Sequence, residues 1–138
     1  MSTSIFGFIQ VKDEYSHTWE NAMNIGTVPL WIQNYDVYAF LFNVRNGTHG
    51  TYKHPLFANR GYPKDFDEKI KENNFDLQVF GESYITYKEL KEEWNKIIPY
   101  SIDNYESVKF GITYYLKLME ACVFRWKPDN VRMVVWFS

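Results

Sequence analysis

The chain has 138 residues, of which 46% are hydrophobic and 20% aromatic, and carries a net charge of −2 from 15 basic and 17 acidic residues. That length suits one domain, 1–138, around a single core, and the apolar content excludes a disordered chain. The charge balance argues against non-specific nucleic-acid binding, and a lone cysteine, Cys122, excludes an intramolecular disulfide or a Cys-rich zinc site.

In chain order, Ile5 to Val11 reads as a half-buried strand, and Val28 to Ile32 as a weaker one that Pro29 confines to an edge or a strand start. From Asn34 the period changes. Val37, Phe40, Leu41 and Val44 fall at i, i+3, i+4 and i+7, which predicts a helix of about three turns capped by Asn34 or Asp36 and ended by Gly47. Residues 46–64 have little periodicity and several Gly, Pro or Asn breaks, so they are expected to form a loop. A loop of that length in a compact domain is usually functional, which places the working surface there.

Asp65 with Glu68 three residues on predicts a reciprocally capped helix through about Lys71, closed by Asn73 and Asn74. Glu82 to Ile85 reads as extended. Thr86 and Glu89 then form a full capping box for a helix from Tyr87 to about Lys96. Asp103 or Asn104 is expected to cap the longest helix, whose apolar face runs through Tyr105, Val108, Ile112, Tyr115, Leu116, Met119 and Val123. Gly111 weakens that helix by about 1 kcal/mol unless another backbone packs close to it. A turn at Lys127 to Asn130 leads into a last strand, Val131 to Phe137. The expected fold is α+β: a small antiparallel sheet that includes paired N- and C-terminal strands, packed against three to four helices.

The 11 Tyr, 11 Phe and five Trp exceed what a core of this size needs, so some rings are expected at a surface or pocket. His49 and His54 read as solvated loop residues with no third ligand, and Cys122 reads as core. Arg45 either offsets the dipole of the preceding helix or binds a ligand. Arg60, held in Asn59-Arg60-Gly61-Tyr62-Pro63, suits a bidentate grip on a carboxylate or phosphate, or else an internal ion pair with Asp36 or Asp65. On the last strand Arg132, Val134 and Trp136 share a face that either stacks on a planar ligand or covers a second layer. No nucleophile elbow, phosphate loop, dinucleotide fingerprint, catalytic set or cofactor motif is present.

Five landmarks occur in order: Tyr35-Asp36-Val37-Tyr38-Ala39, Val44-Arg45-Asn46, Arg60-Gly61-Tyr62-Pro63-Lys64-Asp65, Ser83-Tyr84-Ile85-Thr86 with Glu89-Leu90, and Val131 to Phe137. Together they resemble a family of small uncharacterised proteins of bacteriophages and prophage-bearing bacteria. The chain departs from that pattern at Gly81-Glu82, where the family often carries a histidine, and at Ser138, where it usually carries an acidic residue. The resemblance implies an origin in phage or mobile DNA and supplies no activity.

The leading expectation is a phage-type binding protein with an anti-defence use. Tyr35, Arg45, Asn46, Arg60, Asp65, Arg132 and Trp136 would line a site for an anionic planar molecule such as a signalling nucleotide. The second is an inhibitor that binds a host protein through its aromatic surface, and the third a nucleotide hydrolase. No cofactor, metal or membrane is implied, and self-association is left open. The expected compartment is the cytoplasm, that of the host if the chain is phage-encoded.

Overall fold

The computed structural model describes residues 2–47 and 51–138, so His49 lies outside the described residues. Four strands, β1 (Ile5–Lys12), β2 (Trp19–Asn24), β3 (Phe80–Thr86) and β4 (Val131–Phe137), form an antiparallel sheet in the order β2-β1-β4-β3. The two terminal strands are neighbours at its centre, in register from Ile5 opposite Phe137 to Val11 opposite Val131. Four helices accompany it: α1 (Tyr35–Phe42), α2 (Glu68–Asp76), α3 (Tyr87–Asn95) and α4 (Tyr105–Val123). The fold is α+β, as the sequence predicts.

Every residue of β4 is buried. The strand is covered on both faces, which explains a nearly continuous apolar run in place of clean alternation. Ile5, Ile9, Met133, Val135, Phe137 and Ile85 belong to the main core with α1, α3 and α4. The opposite face carries a second cluster, in which Phe66, Val134 and Trp136 are packed by Phe8, Tyr62, Ile70, Val79 and Tyr84. Of the two readings of the Arg132–Val134–Trp136 face, a covered second layer is the one realised. At the strand crossing Gly7 is required: a Cβ there would lie 2.0 Å from the Val134 carbonyl oxygen, at a φ of +150°.

Several boundaries differ from expectation. The second strand is Trp19–Asn24, while Val28–Ile32 is not a strand: the amides of Leu30 and Trp31 turn back on the Thr27 carbonyl. WENAMN escapes a pattern search because this edge strand is largely exposed and buries only parts of Trp19 and Met23. Asn34 caps α1 by accepting from the Val37 amide, but the helix has eight residues. It stops at Asn43, not Gly47, because Asn43 takes a left-handed φ of 58° and the Asn43 and Val44 amides close on the Ala39 and Tyr38 carbonyls. The expected cap of α2, Asp65, is displaced by Asp67, whose side chain accepts from the Lys69 and Ile70 amides. That helix runs on to Asp76 through Asn73 and Asn74, because Asn74 is buried and donates to the Tyr62 hydroxyl.

The capping box at Thr86 and Glu89 is present, with both reciprocal bonds. Asn104 holds the N-cap position of α4 without capping it, since its side chain donates instead to Asp36. Gly111 faces α1 so closely that a Cβ would lie 2.8 Å from the Val37 Cβ, which is the close packing that its place in a helix requires.

Between Asn43 and Asp67 the described chain has neither helix nor strand, yet it is tied down throughout. The Leu56 and Phe57 amides satisfy the Phe40 and Leu41 carbonyls, left open at the end of α1, and Asn46 exchanges hydrogen bonds with the backbone of Tyr52. Gly61 donates to the Glu82 carbonyl and Ser83 donates to that of Phe57, so the loop runs along the outer edge of β3. An edge strand covered in this way offers little template for pairing with another chain.

Candidate functional site

The seven residues expected to line one site fall in two places. Tyr35, the first residue of α1, and Arg45 and Asn46, just beyond its last, lie at one place. The Tyr35 hydroxyl accepts from the Thr3 amide, the Arg45 guanidinium sits 4.4 Å from the Tyr35 ring centroid, and buried Asn46 holds the loop through Tyr52. Arg45 lies beyond the end of α1 with a positive φ, so it is not the last-turn residue that the longer helix implied.

Arg60, Asp65, Arg132 and Trp136 gather on the second face of the sheet. Arg60 makes an internal ion pair, as one reading of the sequence had it, but with a partner that neither reading named. Its guanidinium grips both oxygens of Glu89, at 3.2 and 2.9 Å, donates to the Tyr84 carbonyl and stacks over the Tyr84 ring. Asp36 and Asp65 are engaged elsewhere, by Asn104 and Arg132. Burial pushes the Glu89 carboxyl up, but Arg60 and the Thr86 amide outweigh it and hold it below its ordinary value.

Arg132 is buried between the layers. Its Nε donates to Gln10, its Nη1 donates to Asp65 at 2.8 Å, and its guanidinium lies 3.9 Å from the Trp19 ring centroid. Trp136 packs against Phe8, Tyr62 and Phe66. Its role on this face is to fill the second layer.

Tyr62 joins this cluster to an open groove. Its ring stacks parallel on Phe66, its hydroxyl accepts from Asn74, and together with Phe75 and Val79 it lines a depression between α2 and the start of β3. At about 1220 Å³ the groove exceeds the roughly 300–1,000 Å³ of small-molecule pockets. Phe75 in this lining is 84% exposed; Leu77 and Phe80, which follow it in the sequence, are 63% and 46% exposed, Phe80 with its ring against Phe137. Glu72, Asp76 and Glu82 line the groove without ion-pair partners among the described residues, while Lys71 is paired with Glu68. The result is a groove with Tyr62, Phe75 and Val79 as its apolar part and carboxylates around them.

No family model, curated protein or solved structure matches this chain. Among the described residues no group of three His, Cys, Asp or Glu side chains is placed to hold a metal ion, and no helix is long and apolar enough to cross a membrane. Cys122 is buried and free, and burial pushes its thiol up.

Sequence reasoning missed the groove because it treated Asn73-Asn74 as a helix end and attached nothing to what followed. Phe75, Leu77 and Phe80 were a usable signal: large apolar residues in an otherwise polar stretch that fits neither a helix period nor a strand period. Gln10, Trp19 and Glu89, which hold the two arginines, are long-range partners that no local spacing shows.

Proposed function

We infer that the chain is a binding protein that docks a segment of another protein in the groove between α2 and β3. Given the phage-type resemblance, the partner is a host protein and the use is anti-defence. The observation that carries this reading is Phe75, 84% exposed in a groove whose lining includes three carboxylates without ion-pair partners among the described residues, with exposed Leu77 two positions on in the sequence. Water-exposed large apolar side chains at a groove mark interaction sites, and aromatic anchors dominate interface energetics. The carboxylates select a partner segment that flanks its apolar side chains with Lys or Arg, since complementary charge steers encounter and rejects acidic competitors. Tyr62, fixed by Phe66, Trp136 and Asn74, makes the floor rigid, so little ordering cost falls on this side of the interface.

The test pans a displayed random-peptide library on the full chain and on Phe75→Asp and Leu77→Asp. Enriched peptides should combine an aromatic or aliphatic pair with flanking basic residues, lose binding to both variants, and bind more weakly as salt rises. Peptides that bind the variants equally, or that carry no basic bias, would remove this reading. Self-association abolished by Phe75→Asp, measured by sedimentation, would instead assign the groove to a second copy.

A further inference from the structure

A different site, at the opposite end of the 60–67 segment, carries an independent conclusion. We propose that Arg132 is the seat of a small oxyanion, a carboxylate or phosphate group, which Asp65 occupies until such a group displaces it.

Three features of the geometry support it. The Arg132 side chain is 5% exposed, yet its Nη2 is buried without a hydrogen-bond partner among the described residues. Buried guanidinium donors are nearly always used, so an open one points to an acceptor that belongs there. The pairing with Asp65 is also lopsided: Arg132 meets only Oδ1, through Nη1 alone, the Trp19 side chain gives the carboxylate its other side-chain hydrogen bond, and the Asp65 side chain is 58% exposed on a loop. An oxyanion spanning Nη1 and Nη2 would satisfy both donors in the fork geometry that arginine favours, while Asp65 moved into water and kept its hydration. Finally, the guanidinium is positioned without Asp65. Gln10 accepts from Nε and is itself anchored through its amide to Asn21, and the Trp19 ring supports one face of the guanidinium. Exchange of one anion for another leaves the charge of the buried site unchanged, so the step avoids an uncompensated buried charge. Solvent reaches the site where Asp65 now sits.

The experiment titrates inorganic phosphate and, separately, acetate into the labelled full chain and follows the Arg132 Nε–Hε resonance by NMR, with chloride as the ionic-strength control. Saturable movement with phosphate or acetate but not chloride is expected, and the stronger of the two identifies the class. Asp65→Asn removes the competing charge and should tighten binding by about tenfold, because apparent affinity is reduced by the fraction of sites that the internal carboxylate holds. Asp65→Asn alters a side chain that is 58% exposed, so the variant keeps the fold that the test needs. A resonance that chloride moves equally, or binding that Asp65→Asn leaves unchanged or weakens, would overturn the proposal and leave Arg132 as a structural arginine with a bridging water.

Discussion

Two fully buried tyrosines show how a single hydroxyl decides the sign of a substitution. Tyr38 donates to the Ile32 carbonyl at 2.7 Å, whereas the Tyr115 hydroxyl has no partner among the described residues, and burial pushes both phenols upward. Removing a paired hydroxyl strands its acceptor, while removing an unpaired one relieves a desolvation cost. Tyr38→Phe should therefore destabilise by about 1 kcal/mol and Tyr115→Phe should be neutral or stabilising. Denaturant midpoints decide, and equal losses in both would mean that the Tyr115 hydroxyl has a partner. Gly111 sets two effects against each other in the same way. Alanine would gain about 1 kcal/mol in helix propensity, but its Cβ would meet Val37 at 2.8 Å, and overpacking costs about 1–3 kcal/mol. Gly111→Ala should lower the midpoint; a rise would show that α1 and α4 separate easily.

At the scale of elements, α3 is the part whose local code and structure agree most fully. Thr86 accepts from the Glu89 amide at 3.1 Å and Glu89 accepts from the Thr86 amide at 3.0 Å. Thr86→Ala should cost about 0.5–2 kcal/mol, read as a lower denaturant midpoint at unchanged slope. An unchanged midpoint would mean that water replaces the cap. The same pattern-reading found β1 and the apolar face of α4, because each is a long run with a buried face, and β4, because burial of both its faces leaves a nearly continuous apolar run. It failed where tertiary contacts override local chemistry. Asp65 has a good local capping pattern, but Arg132, 67 positions away in sequence, takes its carboxylate and leaves the cap to Asp67. Arg60 was legible as a held guanidinium, yet its partner Glu89 is 29 residues away and was already assigned to a cap. Beyond apolar residues in a polar stretch the groove left little signal in the sequence: it is defined by the absence of covering residues, and local periodicity reports what is covered.

For the whole molecule, the sheet has an apolar core on one side and a thinner layer on the other, which ion pairs join to the sheet and to α3. Arg132 with Asp65 ties the second layer to β4, and Arg60 with Glu89 ties the loop to α3. Burial raises both carboxyls, but the hydrogen bonds and charge of the arginines prevail, so both titrate below their ordinary values of 3.8 and 4.5. The native state therefore binds fewer protons than the unfolded chain in this range. The stability that these groups contribute is complete above the unfolded values and is lost as pH falls through the lower folded ones. Because both carboxylates are partly exposed, solvent screens the contribution and the loss should be gradual. The parent midpoint should fall as pH drops below about 4.5, and an Asp65→Asn, Glu89→Gln double variant should be less stable near neutrality with a flatter acid limb. Parallel pH profiles for the two proteins would show that other carboxylates govern acid unfolding. A flatter limb together with faster proteolysis of the 57–67 segment at low pH would show that the second layer is released before the core.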